Sequence, residues 1–426
     1  MMTRRSFHST LLTASLSAMA QASPPRQVDS AEQDAEWDEN RVDRVRGLLL
    51  GSLLGDALGG PFEFADRSDV EDLLPNCRQW PLSRRLDDAQ IDALADQLRL
   101  EPYEQLRPDI APYGPWRRTA PAGTLTDDSR HKIVLMRALR GVASEARRHI
   151  RADDLAKQFL KFPRLDHDLK YASNGSEQQA MRSGLREYHF AARWQLGQRD
   201  TQLALPISRL WSGVDNCSGQ MTLLPLAALH IGQPVEAYRA TYQVDFIDTG
   251  NARDIVSALV AGISMLLQPS GGRVAPSTAF DRLVSTMRST DPYRFAEVPF
   301  VGRRLDHWLD LVDSIVERSD GRPAKLFQLL ETEGKPKYFW DAHFTLLVPL
   351  VMLKACRHNP LAALRLTLDF GHDTDSYAQV LGGLAGAIHG STIFGKEMRD
   401  TIERRLQEDH EESLEDWVEL LVADTQ

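Results

Sequence analysis

Gly47-Leu48-Leu49-Leu50-Gly51-Ser52-Leu53-Leu54-Gly55-Asp56-Ala57-Leu58-Gly59 carries a glycine at every fourth position of a leucine-rich run. On a helix that spacing puts the four glycines on one face. Each costs a helix about 1 kcal/mol relative to alanine, so their repetition needs a packing reason. A bare face lets a second backbone come close. Gly382, Gly386 and Gly390 repeat the interval near the other end of the chain. Two glycine-striped helices are therefore expected at the centre of the protein, holding Asp56 and Glu63 near the acidic segment Asp373-Thr374-Asp375-Ser376. Gly59-Gly60-Pro61 reads as the loop that ends the first stripe.

Working outward, helical periodicity dominates. Lys132 to Leu139, Asp254 to Leu267, Phe344 to Lys354 and Pro360 to Leu368 read as helices, and Leu86 to Leu98 as a short one. Lys396 to Leu421 is charged and periodic, as amphipathic surface helices are. The Pro- and Arg-rich stretch from Arg107 to Ala122 reads as a long loop. No tandem repeat and no clean linker divides the chain, so one mostly α-helical domain is expected.

The chain has 426 residues, 42% apolar and 26% charged, with a formal net charge of −10. These are globular proportions. The acidic balance excludes a general nucleic-acid binder, for which no basic excess is present. Cys77, Cys217 and Cys356 are too few, and odd in number, for a disulfide framework. Arg4-Arg5-Ser6-Phe7, the apolar run Leu11 to Met19 and Ala20-Gln21-Ala22 follow the order of a Tat-type export signal with its cleavage site. The expected organisation is a signal at 1–22, a flexible lead-in at 23–40 and a domain at 41–426 with an insertion around 65–122. The expected location is periplasmic, with no membrane association once the signal is removed.

Two short signatures carry the chemistry. Thr126-Asp127-Asp128-Ser129 and Asp373-Thr374-Asp375-Ser376 each precede a helix-like stretch, at the positive end of its dipole. The first alone reads as an ordinary N-cap. The second places two aspartates beside an apolar, Gly/Ala-rich helix, where uncompensated charge is costly. If the two meet, four carboxylates and their neighbouring hydroxyls form an all-oxygen site suited to Mg²⁺. Asp166-His167-Asp168 lies in a polar run and reads as a solvated segment. Asp153-Asp154 reads as a cap, and Asp306, His307 and Asp310 as a helix surface. No His-Glu-x-x-His, Gly-x-Ser-x-Gly or P-loop pattern is present.

Gly51 to Gly59, Thr126-Asp127-Asp128, Gly371-His372-Asp373-Thr374-Asp375-Ser376 and Gly382 to Ala387, in that order, resemble the ADP-ribosylglycohydrolase family. Asn359 to Leu366 is similar to the family's helix leading into its second acidic motif. The resemblance implies an all-α fold, a compact multi-helix orthogonal bundle, with a pair of Mg²⁺ ions (Mn²⁺ as a substitute). Thr126, Asp127, Asp128, Asp373, Asp375 and Ser376 are the implied ligands. It implies a hydrolase that cleaves ADP-ribose, or a related ribosyl group, from an acceptor on a protein or small molecule. Glu63 is the expected proton-handling residue, with Asp127 or Asp128 as the alternative. Ser218, Gly219, Met221 and His372 are the expected substrate contacts.

The chain departs from the family at His372, where a second glycine is usual, and at Ser376, where threonine is more frequent. The substrate loop falls at Asn216 to Thr222, with its glycine displaced and its arginine absent, and Ile247-Asp248-Thr249 stands where a Thr-His pair is usual. An isoprenoid-synthase-like Mg²⁺ enzyme is a weaker alternative, because His131 stands where that class wants a third aspartate. A non-catalytic relative that binds ADP-ribose-like ligands is another, and the loss of a metal-binding aspartate would favour it. None is lost. The acceptor and the oligomeric state stay open at this level.

Overall fold

The structure, a computed structural model, describes residues 30–63, 84–110, 114–161, 186–199, 203–210, 213–268 and 274–423. The export-like segment, Cys77 and Asp166-His167-Asp168 lie outside the described residues. In chain order the helices are α1 (Ser30–Gly59), α2 (Asp88–Ala95), α3 (Asp127–Arg140), α4 (Ala152–Lys161), α5 (Arg186–Gln195) and α6 (Ser218–Leu223). They continue as α7 (Pro234–Val244), α8 (Gly250–Leu267), α9 (Pro276–Ser289), α10 (Leu305–Ser319), α11 (Pro323–Gly334) and α12 (Ala342–Ala355). The last four are α13 (Pro360–Phe370), α14 (Thr374–His389), α15 (Lys396–His410) and α16 (Leu414–Val422).

The two glycine-striped helices are α1 and α14, packed side by side in the centre. A Cβ added to Gly47, Gly51 or Gly55 would come closer than 3.0 Å to the backbone of Gly386, Gly382 or Ala378 respectively, and one on Gly59 would strike Asp375. The paired positions fall in sequence as the partners rise, so the helices run antiparallel. The C-terminal end of α1, with Asp56 and then Glu63, is thereby delivered to the N-terminal end of α14, with Asp373 and Asp375.

Around this pair, α12 and α13 cover α14, α16 packs on α1, and α8 is enclosed by α7, α9 and the turn at Leu224–His230. Helix α8 is apolar and long enough to cross a bilayer by length and composition, but 78% of its span is buried. Its apolar residues are covered by neighbouring helices, as in a core helix.

Two expectations are revised. The stretch from Arg107 to Ala122 is not a loop throughout: β1 (Tyr103–Ile110) and β2 (Gly114–Ala120) form an antiparallel hairpin. Pro108 and Pro115, which argued for a loop, both fall between the Arg107–Trp116 and Ile110–Gly114 pairs, where the register shifts. A proline that cannot donate is tolerated at such an irregularity. Residues 30–40 of the expected lead-in are the first turns of α1. Ala31, Glu32, Gln33, Ala35 and Glu36 are good helix formers that outweigh the stretch's polarity.

Candidate metal and substrate site

Helix α3 begins at Thr126, whose extended backbone and side-chain oxygen cap the helix by accepting from Asp128 N at 3.3 Å. Asp56 of α1 fixes this end. Its Oδ2 accepts from Thr126 N at 3.0 Å and from the Ser129 hydroxyl, and its Oδ1 from the Thr126 hydroxyl. Asp56 is fully buried, so the charge inside the glycine stripe ties the first signature to the helix pair. Ser376 of α14 donates from Oγ to Asp128 Oδ2 at 3.3 Å, which joins the two signatures directly.

The result is a cleft of about 430 Å³ whose floor includes Glu63, Asp127, Asp128, Asp373, Asp375 and Ser376. Ligand atoms of Asp56, Asp128 and Asp375 lie within 4.8 Å of one another, as do those of Glu63, Asp127 and Asp375. Asp375 belongs to both groups. Asp127 and Glu63 are partly exposed towards solvent, whereas Asp128, Asp373 and Asp375 are buried. Burial raises the carboxyls of Asp128 and Asp375 well above the usual range, and the surrounding carboxylates add to the effect. Asp373 is pushed up to about 8, by burial first and then by the charge of Glu63. Asp128 Oδ1 is buried and accepts no hydrogen bond. An orphaned oxygen inside a cluster of mutually repelling acids is what a hard divalent cation compensates, and the donors are all oxygen. The residues fit such an ion.

The other side of the cleft comes from the Asn216–Met221 segment, Tyr188 of α5, and Tyr338 and Trp340 in the loop before α12. Asn216 Oδ1 accepts from Ser218 N at 3.2 Å, and the hydroxyls of Tyr188 and Ser218 meet at 2.7 Å. Tyr338 and Trp340 stack at 4.9 Å with an interplanar angle of 11°. Their loop is pinned by Asp341, whose Oδ2 accepts from Lys337 N at 2.6 Å and Tyr338 N at 3.2 Å. Tyr377 OH donates to Phe339 O at 2.5 Å. A bridge between Asn216 and Asp341 joins this loop to the Asn216–Met221 segment.

The structure brings Glu63, Asp127, Asp128, Asp373, Asp375, Ser376, Ser218 and Met221 to one cleft. Three expected site residues stand elsewhere. Thr126 is buried beneath the cleft, its hydroxyl engaged by Asp56 and Asp128 as a cap. Gly219 does not line the cleft; its N–H donates to Asp248 Oδ1 at 3.1 Å and Oδ2 at 3.0 Å, and a side chain there would collide with that carboxyl. His372 turns aside, stacking on Phe339 at 3.6 Å and meeting Glu331 Oε1 from Nε2 at 3.0 Å. Its φ of 65° is left-handed, a conformation that suits glycine better.

Asp248 and Asp245 form a second buried acidic pair. Asp245 Oδ1 accepts from Ile247 N at 3.2 Å and Asp248 N at 3.0 Å. Burial pushes Asp245 up to about 6 and Asp248 well above the usual range, with the neighbouring charge of Asp245 adding to the latter. The sequence signal for this pair was the departure at Ile247-Asp248-Thr249; for Tyr338 and Trp340 it was an aromatic cluster ahead of a helix. His131 is buried against Tyr188, ring centroids 4.5 Å apart, and burial lowers it to about 4, so it is a neutral core ring.

Residues 37–426 match the ADP-ribosylglycohydrolase family. The chain belongs to that family. A comparison with curated proteins finds no match. In this ADP-ribosylglycohydrolase family member the two acidic signatures are united by the helix pair, and the Asn216–Thr222 segment has Thr222 after Met221 and Asp248 behind Gly219.

Proposed function

We propose that this protein is a Mg²⁺-dependent glycohydrolase that cleaves the bond between ADP-ribose, or a related ribosyl group, and an acceptor. The observation that carries the reading is the convergence of Glu63, Asp127, Asp128, Asp373 and Asp375 in one cleft, within a chain of this family. Asp127 and Asp375 would hold the ion at the cleft, with Asp128, Asp373 and Ser376 behind them. When bound, a divalent ion supplies Lewis acidity and a fixed charge that orients vicinal hydroxyls and eases deprotonation of water.

The protein's own groups do the rest. Glu63 follows the end of α1, half-buried at the cleft edge, where it can take the proton of an attacking water. The surrounding carboxylates stabilise the positive charge that develops at the ribosyl anomeric carbon. The stacked rings of Tyr338 and Trp340 offer a flat apolar wall to a ring-bearing part of the substrate, and Ser218 with Asn216 offers polar contacts beside it. Export by the twin-arginine route belongs to the same proposal, and Arg4→Lys with Arg5→Lys should keep the precursor in the cytoplasm.

Incubation with ADP-ribosyl-arginine and ADP-ribosyl-serine peptides, with and without Mg²⁺, tests the function. Release of free ADP-ribose that requires Mg²⁺ is expected. Tight ADP-ribose binding with no turnover on either peptide would favour a binding role instead.

A further inference from the structure

Lys132 stands one helical turn beyond Asp128 on α3, on the same face. It is 1% exposed and, among the described residues, is the one buried lysine. Its Nζ donates to Asp128 O at 3.2 Å. A buried ammonium is costly unless charge of opposite sign lies near. Here Asp128, Asp56 and Asp375 attract it and oppose the desolvation that lowers it. These are the same three carboxylates that form the inner group beneath the cleft.

The inner and outer groups therefore differ. In the inner group, Asp56 already accepts three hydrogen bonds, from Thr126 N, the Thr126 hydroxyl and the Ser129 hydroxyl, which leaves one of its four lone-pair positions. The inner group also has a resident cation beside it. In the outer group, Asp127 and Glu63 are partly open to the cleft, and Arg130 stands 3.9 Å from Asp127. A divalent ion placed in the inner group would be buried with the Lys132 ammonium, which sits on the Asp128 carbonyl. One placed in the outer group faces Arg130 only across Asp127, whose side chain is 48% exposed, where solvent screens the repulsion.

We infer that Lys132 is a built-in monocation that takes the place of a second divalent ion. The protein then holds one such ion, at the outer carboxylates Glu63, Asp127 and Asp375, and the inner carboxylates are compensated by Lys132 and by the donors around Asp56. This rests on the reading of the cleft as a cation site, and departs from the two-ion expectation that the family resemblance implies.

Titration of the purified full chain with Mn²⁺, followed by calorimetry and electron paramagnetic resonance, counts the ions and detects coupling between them. The wild type should bind one Mn²⁺ tightly, with the spectrum of an isolated ion. Lys132→Met and Lys132→Gln remove the charge at similar length and should bind a second ion at least ten-fold more tightly than the wild type does, with the spectrum of a coupled pair. Near-ultraviolet circular dichroism establishes that each variant is folded. Two tight, coupled ions in the wild type overturn the inference, whether or not the variants fold. A single ion in folded variants also overturns it, because Lys132 would then not be what excludes the second. No Mn²⁺ bound by the wild type would instead overturn the cation site itself.

Discussion

Asp128, Asp373 and Asp375 of the cleft and the Asp245–Asp248 pair are all buried and pushed above the usual carboxylate range, yet they are held differently. Around Asp245 and Asp248 the N–H groups of Ile247, Asp248 and Gly219 hold Asp245 Oδ1 and both oxygens of Asp248, although Asp245 Oδ2, buried, accepts no hydrogen bond. At the cleft, Asp128 Oδ1 has no donor, and the acids of both signatures turn toward a shared space. A buried acid held by backbone donors away from the cleft is a structural clamp on the Asn216–Met221 segment; several acids gathered around one open space can hold a cation.

The largest effect that can break this contrast is expected at Asp375, which belongs to both ligand groups. Asp375→Asn keeps shape and removes charge. Since partners outside the ligand shell already cost about 10- to 100-fold, loss of a shared ligand should lower Mg²⁺ affinity by at least about 100-fold and abolish turnover, with the fold retained. Calorimetry that finds unchanged Mg²⁺ binding would show that the cleft acids are no different in kind from the Asp245–Asp248 pair.

Glu63→Gln separates proton handling from ion binding. Turnover should fall by about 10²- to 10⁴-fold, whereas Mg²⁺ affinity should fall less than in Asp375→Asn, because the amide keeps an oxygen toward the outer group, and ADP-ribose affinity stays near wild type. Full activity in this variant would pass the proton-handling role to Asp127 or Asp128.

The pair that holds Gly219 of the Asn216–Met221 segment should respond in stability and KM, and not in metal affinity. Asp248→Ala strands the Gly219 N–H in a buried site, at a cost of about 1–3 kcal/mol, visible as a lower Tm and a raised KM. Asp248→Asn keeps an acceptor and should lose much less. A fall in Mg²⁺ affinity in either variant would merge two clusters that the geometry keeps apart.

The smallest signal is in the pH dependence of stability. Each of these acids is raised in the folded state, so the folded protein binds more protons than the unfolded chain between the two values, and stability falls as pH rises. For Asp245 that window runs from the ordinary value of 3.8 to about 6, and for Asp373 from 3.8 to about 8. Mg²⁺ should therefore flatten the Tm profile between about pH 6 and 8, where the cleft dominates, and leave the fall caused by Asp245 in place. A profile that Mg²⁺ shifts uniformly would contradict this.

The helix pair was legible in the sequence because backbone contact leaves a direct imprint: nothing but glycine fits at Gly47, Gly51, Gly382 or Gly386. The convergence of the signatures followed from it, since the stripes fix which ends of α1 and α14 meet. The hairpin was hidden because Pro108 and Pro115 read as breakers, whereas both fall where the ladder is already irregular. Asp248 and Lys132 were hidden for another reason. Their meaning depends on partners far away in the chain, Gly219 for one and Asp56 and Asp375 for the other, and no local pattern records such encounters. Gly219 and His372 were placed in the site by motif position alone, and their surroundings show one fixed by Asp248 and the other by Phe339 and Glu331.

The seam between α1 and α14 has a mechanical consequence. Where side chains separate two helices, a change in volume can be absorbed by a new rotamer; here there are no rotamers to adjust. The gap is set by covalent dimensions of two backbones, so the pair behaves as a fixed calliper whose jaws are Asp56 with Glu63 on one arm and Asp373 with Asp375 on the other. Loosening of the outer helices leaves the jaw opening unchanged, whereas one added methyl group on the seam moves every acid at once.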